Sequence, residues 1–180
     1  MSGYGEGEVQ RVTVEIDADL YENRVLKAAD RRGEVVFAIQ TPEGVLLHRK
    51  SFYGDHVFRL PSGGIDHGEA VIDALRREIS EETSLTLSTA HFVGVQDAQL
   101  TYGGQSVRFV SYIFCVSAAG ELRADPKEQI VELRFVSPAA LHDIAEELRK
   151  TPPPHAGWGR WRALAHDFVG DWLAHGRTRQ

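Results

Sequence analysis

The chain has 180 residues, 42% of them hydrophobic and 26% charged, which suits one domain with a sizeable core and some sequence left for terminal extensions. A formal charge of -6 argues against a protein that grips long nucleic acid through a basic surface, but not against a small phosphorylated ligand whose charge a bound cation offsets. The single cysteine excludes a disulfide within the chain, and no apolar run approaches the roughly 18 residues of a membrane span.

The first eight residues are polar and glycine-rich and lack an apolar signal core, which predicts a loose terminus and a cytoplasmic protein. Residues 11–16, "RVTVEI", alternate as a strand does. The stretch 18–33 is compatible with a short helix ending at Gly33, on a weak apolar period. "EVVFAIQ", the turn "TPEG" and "VLLHRK" read as a hairpin, and "HVFRL" as a short strand ending at Pro61. A loop, "PSGGIDHG", then leads into a helix from Glu69 to Thr83. "HFVGVQDAQLTY" and "SVRFVSYIFCVSA" flank "GGQ" as a second hairpin, with Cys115 reading as a buried core thiol and not a nucleophile. "EQIVELRFV" is a further strand, and Pro138 suits the first turn of the helix that follows. "TPPP" interrupts the chain before a closing helix whose Trp161, Leu164, Phe168 and Trp172 form one stripe that packs on the body. Strands in mixed order with two or three helices predict an α+β or α/β/α sandwich. The organisation is an N-terminal extension over 1–33, a main domain over 34–150 and a C-terminal helix over 151–180.

The helix from Glu69 carries the chemistry. At about 100° per residue, Ile72, Leu75 and Ile79 face the core, while Glu78, Glu81 and Glu82 span about 100° beside that stripe. Like charges at these spacings are neighbours, each pair costing roughly 3 kcal/mol at an effective dielectric of about 20 and less than about 1 in water. A solvated face tolerates that; a half-buried one calls for protons or a cation. Hard divalent ions take such oxygen ligands. The preceding loop has three glycines, which let backbone approach a ligand closely and offer carbonyls to a metal or amides to an anion.

Loop and helix together resemble the Nudix family. Its box matches at Gly63, Glu69, Arg77-Glu78, Ile79, Glu81-Glu82 and Leu85, eight of nine specified positions over 23 residues. Ser84 stands where the family has glycine, and Ser62 where a glycine is common. A serine in the left-handed turn that normally ends this helix costs on the order of 1 kcal/mol.

The resemblance implies a Nudix-type α/β/α sandwich with a mixed central sheet, and hydrolysis of a pyrophosphate link by water with Mg²⁺ or Mn²⁺. Carried over by position, Glu78, Glu81 and Glu82 are the main metal ligands and the Gly63 carbonyl an accessory one. Glu69 is a weaker ligand or a loop–helix brace, and Arg77 holds Glu78 by an ion pair. Relatives differ in their base. Here Glu128 is the choice for base or extra ligand, with a plain surface charge as the other reading. A proline about 15 residues past the box, associated with ADP-ribose, is absent. Tyr102, 17 residues past Leu85, matches the tyrosine associated with dinucleoside polyphosphates. That makes a dinucleoside polyphosphate the leading substrate, with nucleoside triphosphates and ADP-ribose as alternatives. Arg49, Tyr102 and Phe58 are candidates for holding it. A non-catalytic nucleotide-sensing domain is the rival from another class, and retention of all three box carboxylates favours the enzyme. Many relatives dimerise, which leaves a homodimer open. The eight histidines show no zinc spacing, there is no G-x-S-x-G elbow or P-loop, and no cysteine precedes the helix as an isomerase of this family requires.

Overall fold

Alternating apolar side chains on β2 (Gly33–Thr41) feed two separate cores, and the architecture follows from that. The structure, a computed structural model, describes residues 7–22 and 33–176. Val35, Phe37 and Ile39 point to one face of β2 and Val36 and Ala38 to the other, as a strand covered on both sides requires. β2 runs parallel to β6 (Gln105–Ala119), with Val35 opposite Tyr112 and Phe37 opposite Phe114. β6 forms a hairpin with β5 (Thr86–Tyr102) through Gly103 and Gly104, both at positive φ (56° and 80°), the backbone that a tight two-residue turn demands. β1 (Glu8–Glu15) lies parallel to β5 at the sheet edge.

On its other side β2 turns into β3 (Gly44–Lys50), which pairs with β7 (Ile130–Val136). Only Gln40 and Thr41 of β2 pair with β3; Glu34, Val35 and Val36 pair instead with β4 (Ser62–Gly64). β2 and β3 therefore diverge, and residues 59–64 fill the wedge. Reciprocal 3.0 Å backbone hydrogen bonds between His48 and Arg59 fasten this segment to β3. The strand order is β1-β5-β6-β2-β3-β7, with β4 as a branch on β2.

A single turn, α1 (Ala18–Leu20), precedes β2. On one face of the sheet α2 (Val71–Thr83) buries Ala74, Leu75 and Ile79 against Val35, Phe37, Ile39, Leu46, Phe114 and Val116. Each fully buried Leu or Ile contributes about 1.5–3 kcal/mol. On the other face lie α3 (Leu141–Arg149) and α4 (Ala156–Gly176). Trp158 stacks on Tyr53 with ring centroids 4.1 Å apart, Trp161 meets Phe109 edge-on, and Phe168, Val169 and Leu173 complete the core. The N-terminal segment joins in: Asp17 accepts hydrogen bonds from the Gly157 and Trp158 amides at 2.7 and 3.1 Å, capping α4 from 140 residues away.

The α/β/α sandwich with a mixed sheet is the architecture expected from the sequence. Three elements differ in detail. "HVFRL" is not a strand; it makes one bridge, at Arg59, because Phe58 and Leu60 turn into the core while the backbone peels away from β3. α2 begins at Val71, not Glu69, since Ala70 is extended and the Glu69 carboxylate serves the loop. Of the helix expected over 18–33, only the turn at 18–20 lies among the described residues that are helical in the α sense, and 23–32 lie outside the description. Cys115 is buried, and burial pushes its thiol up to about 12, as a core residue. Among the described residues no helix is long and apolar enough to cross a membrane.

Ser84 ends α2 in the left-handed region, φ 60° and ψ 11°, with its amide donating to the Ser80 carbonyl at 2.9 Å. Its hydroxyl makes one long contact, 3.4 Å to the Arg123 carbonyl. Ser84→Gly is expected to raise stability by about 0.5–1 kcal/mol in urea denaturation, the left-handed penalty outweighing glycine's extra freedom in the unfolded chain.

Candidate active site

Like charges on adjacent turns of α2 are held in place by one guanidinium. Arg77 donates from Nε and Nη2 to the two oxygens of Glu69, each at 2.9 Å, and from Nη2 to the Gly64 carbonyl at 2.8 Å. Its Nη1 reaches Glu78 at 2.7 Å and Glu81 at 3.1 Å. Helix and glycine loop are thus pinned to each other, and these contacts hold the Arg77 pKa above its ordinary value, with the Glu69 hydrogen bonds the largest cause. Glu69 also accepts from the Asp66 amide, so in this structure it braces the loop.

The three box carboxylates have different surroundings. Glu81 is about half exposed. Glu78 is buried beside Gly63, so closely that a Cβ on residue 63 would fall inside its carboxylate. Glycine at 63 is therefore a requirement of space. Burial pushes the Glu78 carboxyl up to about 7, Arg77 opposes the shift, and repulsion from Glu82 and Glu81 adds to it.

Glu82 is only 1% exposed, and neither of its oxygens meets a donor in full hydrogen-bond alignment. Lys50 Nζ stands 3.0 Å from Oε1, an ion pair outside hydrogen-bond alignment, and donates to Glu128 Oε2 at 3.3 Å. Burial raises the Glu82 pKa, Arg59 and Lys50 oppose, and Glu128 adds repulsion. His48 lies 3.8 Å from Glu82 with neither ring nitrogen hydrogen-bonded; burial first, then Arg59, Lys50, Arg162 and His166, push its pKa well below the ordinary histidine value.

Among the described residues no three acidic, histidine or cysteine side chains converge closely enough to grip an ion as they stand. Glu78 and Glu81 turn to Arg77, and Glu82 to Lys50. The donor set nevertheless suits a hard cation. A buried carboxylate without hydrogen-bond donors is costly, and Glu78, Glu81 and Glu82 with the Gly63 backbone offer oxygen alone.

The NUDIX domain family matches residues 30–161, most of the chain. The chain belongs to the Nudix family. Its Nudix helix is α2, and the family match runs from just before β2 into the first turns of α4. Among characterised relatives, the NAD-capped RNA hydrolases NUDT12 of Macaca fascicularis and Homo sapiens are 24% and 25% identical over 144 residues. That is 77% of this chain but 29% of theirs, so the chain spans less than a third of their length. The fold is shared with the MutT Nudix hydrolase of Burkholderia pseudomallei, at TM-score 0.53 and 23% identity over 77% of this chain and 97% of that one. It is shared also with the MutT protein of Bacillus halodurans, at TM-score 0.54 and 20% identity over 62% and 72%.

The remaining candidates scatter. Arg49 pairs with Glu132 at 3.1 Å and Asp55 at 3.1 Å on the β3–β7 edge. Phe58 is in the core, with the Arg134 guanidinium 5.4 Å over its ring. Tyr102 sits at the tip of the β5–β6 hairpin against Tyr21, ring centroids 5.7 Å apart. Sequence reasoning gave no role to His48, Arg59 or Arg162. Arg59 donates to the Ser62 hydroxyl at 2.9 Å, which gives that serine a partner where the family often has glycine. Arg162 pairs with Glu34 at 2.6 Å. The run "HRK" closing an apolar strand is a signal for His48 alone; Arg59 and Arg162 carry none.

Two outcomes follow. Gly63→Ala is expected to drive Glu78 out of place and cost about 1–3 kcal/mol of stability, read by denaturant unfolding. In metal-free protein, the folded state holds the Glu78 proton more tightly than the unfolded chain, whose carboxyl titrates near its ordinary value. The stability from that proton is therefore present at acid pH and lost as pH rises toward about 7. Unfolding of the wild type and Glu78→Gln in chelator should show the variant gaining relative stability between about pH 4.5 and 7.

Proposed function

We propose that the protein is a divalent-cation-dependent Nudix pyrophosphohydrolase that hydrolyses a phosphoanhydride link in a nucleotide-containing substrate. The observation that carries this reading is Glu82: a carboxylate 1% exposed, with no well-aligned hydrogen-bond donor, one helical turn from a second buried carboxylate. The Lys50 ammonium 3.0 Å away offsets part of the cost of burying that carboxylate, and a divalent cation bound there would offset both the burial and the repulsion from Glu78 more fully.

Glu78, Glu81 and Glu82, with the Gly63 carbonyl, would hold Mg²⁺ or Mn²⁺. When bound, such an ion supplies positive charge against the phosphate oxygens and acidifies water. Arg77 fixes the orientation of Glu78 and keeps the glycine loop against the helix. Glu128, which accepts from Lys50 Nζ at 3.3 Å, would take the proton of the attacking water. A bond forms from that water oxygen to phosphorus, the bridging P–O bond breaks, and the leaving phosphate carries away the electron pair.

The substrate class we favour has a nucleoside on each side of its phosphate chain. Tyr102 supports a dinucleoside polyphosphate by its spacing past the box alone, since it packs on Tyr21 at the hairpin tip; the similarity to NAD-capped RNA hydrolases supports a phosphate-bridged pair of nucleosides more generally. Nucleoside triphosphates and ADP-ribose are the comparison substrates.

A panel of diadenosine tetraphosphate, NAD, ADP-ribose and ATP, incubated with Mg²⁺ or Mn²⁺ and resolved by product, tests the reading. Turnover is expected with the metal and none in chelator. Glu82→Gln should lower it by at least about a hundredfold, above the 10–100-fold typical of groups that only orient ligands. Tight nucleotide binding without any product would instead identify a sensor domain.

A further inference from the structure

Lys50 ends β3 where the ladder to β7 shifts register, between Arg49 and Lys50. Such an irregularity re-aims the side chain that follows it. Here the ammonium is directed inward, only 12% exposed, to a point 3.0 Å from Glu82 Oε1 and 3.3 Å from Glu128 Oε2. These are one box carboxylate and the candidate base or extra ligand. Whatever cation Glu82 Oε1 takes must contend with a positive charge already beside it.

The cations around the site differ in freedom. Arg77 is tied to Glu69, Glu78, Glu81 and the Gly64 carbonyl. Arg59 is fixed by the Leu60 carbonyl and the Ser62 hydroxyl. Lys50 contacts Glu82 out of hydrogen-bond alignment and Glu128 at the long end of the range. A lysine stem has four rotatable carbons and a compact head, so of these cations Lys50 moves most readily.

We propose that Lys50 is a tethered competitor of the metal ion, its ammonium and the divalent cation contending for Glu82, so that ion binding requires Lys50 to leave that carboxylate. The inference rests on the metal-dependent reading above and adds to it a residue outside the box that sets how readily the site fills. The ammonium supplies the buried carboxylate with a charge partner, and so opposes the ion by removing both that partner's place and part of its electrostatic gain. In this role Lys50 is a positioning residue and acts on affinity, not on the reacting atoms.

The test is Mn²⁺ binding to the full chain, followed by electron paramagnetic resonance of the free ion at neutral pH and fixed ionic strength. Lys50→Met is expected to bind Mn²⁺ about tenfold tighter than the wild type, whereas Lys50→Arg, which keeps the charge, should stay within about threefold. Unchanged or weaker binding by Lys50→Met overturns the proposal. A second measurement uses the wild type, in case Lys50→Met does not fold. With lysine ¹³C-labelled at Cε, the Lys50 resonance, assigned by its loss in Lys50→Arg, should shift as Mg²⁺ saturates; a resonance that stays put overturns the proposal. Metal uptake without hydrolysis of any nucleotide would remove the proposed activity and leave this inference standing. No uptake by any variant would remove both.

Discussion

One guanidinium organises this site. Arg77 places its donors on two oxygens of Glu69, on Glu78, on Glu81 and on the Gly64 carbonyl, so a single side chain sets the spacing between the glycine loop and a helix. Exposed ion pairs taken one at a time contribute little, about 0–1 kcal/mol. Here they share one planar fork, whose fixed geometry makes each bond constrain the others. Without that fork, Glu78 and Glu81 would repel across one turn of helix, and the loop would lose its anchor on α2.

The second constraint is steric. Gly63 leaves room for the Glu78 carboxylate where any larger residue would not, and the pairing of Gly63 with Val35 fixes the loop's height on the sheet. The acidic cluster is then driven inward by the same apolar face of α2 that builds the core, since Glu78 and Glu82 share the buried side with Leu75 and Ile79. Burying carboxylates in this way is expensive. The protein surrounds them with cations, Arg59 and Lys50 from the wedge side and Arg77 from the helix itself.

Much of this was readable in the residues. The box spacing located loop and helix, and the wheel put the three glutamates at the margin of the core; the serine at 84 left the closing turn open, and the fold keeps it left-handed. Gly103–Gly104 between alternating runs gave the long hairpin. Other features were hidden because they depend on contacts distant in sequence. Local pattern cannot show that Lys50 meets Glu82 and Glu128, that Ser62 is bonded by Arg59, or that Asp17 caps a helix beginning at Ala156. "HVFRL" reads as a strand by composition, yet the divergence of β2 from β3 leaves it no ladder to complete. The three glutamates, equivalent in the motif, differ in the fold because only two lie over the core.

The shared strand has a mechanical meaning as well. β2 pairs with β6 over residues 33–39 and with β4 over 34–36, and gives only its last two residues to β3, so the two parts of the sheet meet at a corner near Thr41 and Gly44. Glu78 and Glu82 ride on the helix laid over one part; Lys50 and Glu128 belong to the other. Glu82 and the ammonium that faces it thus stand on opposite sides of a corner made by a β-turn, so the geometry of that corner sets the distance between them.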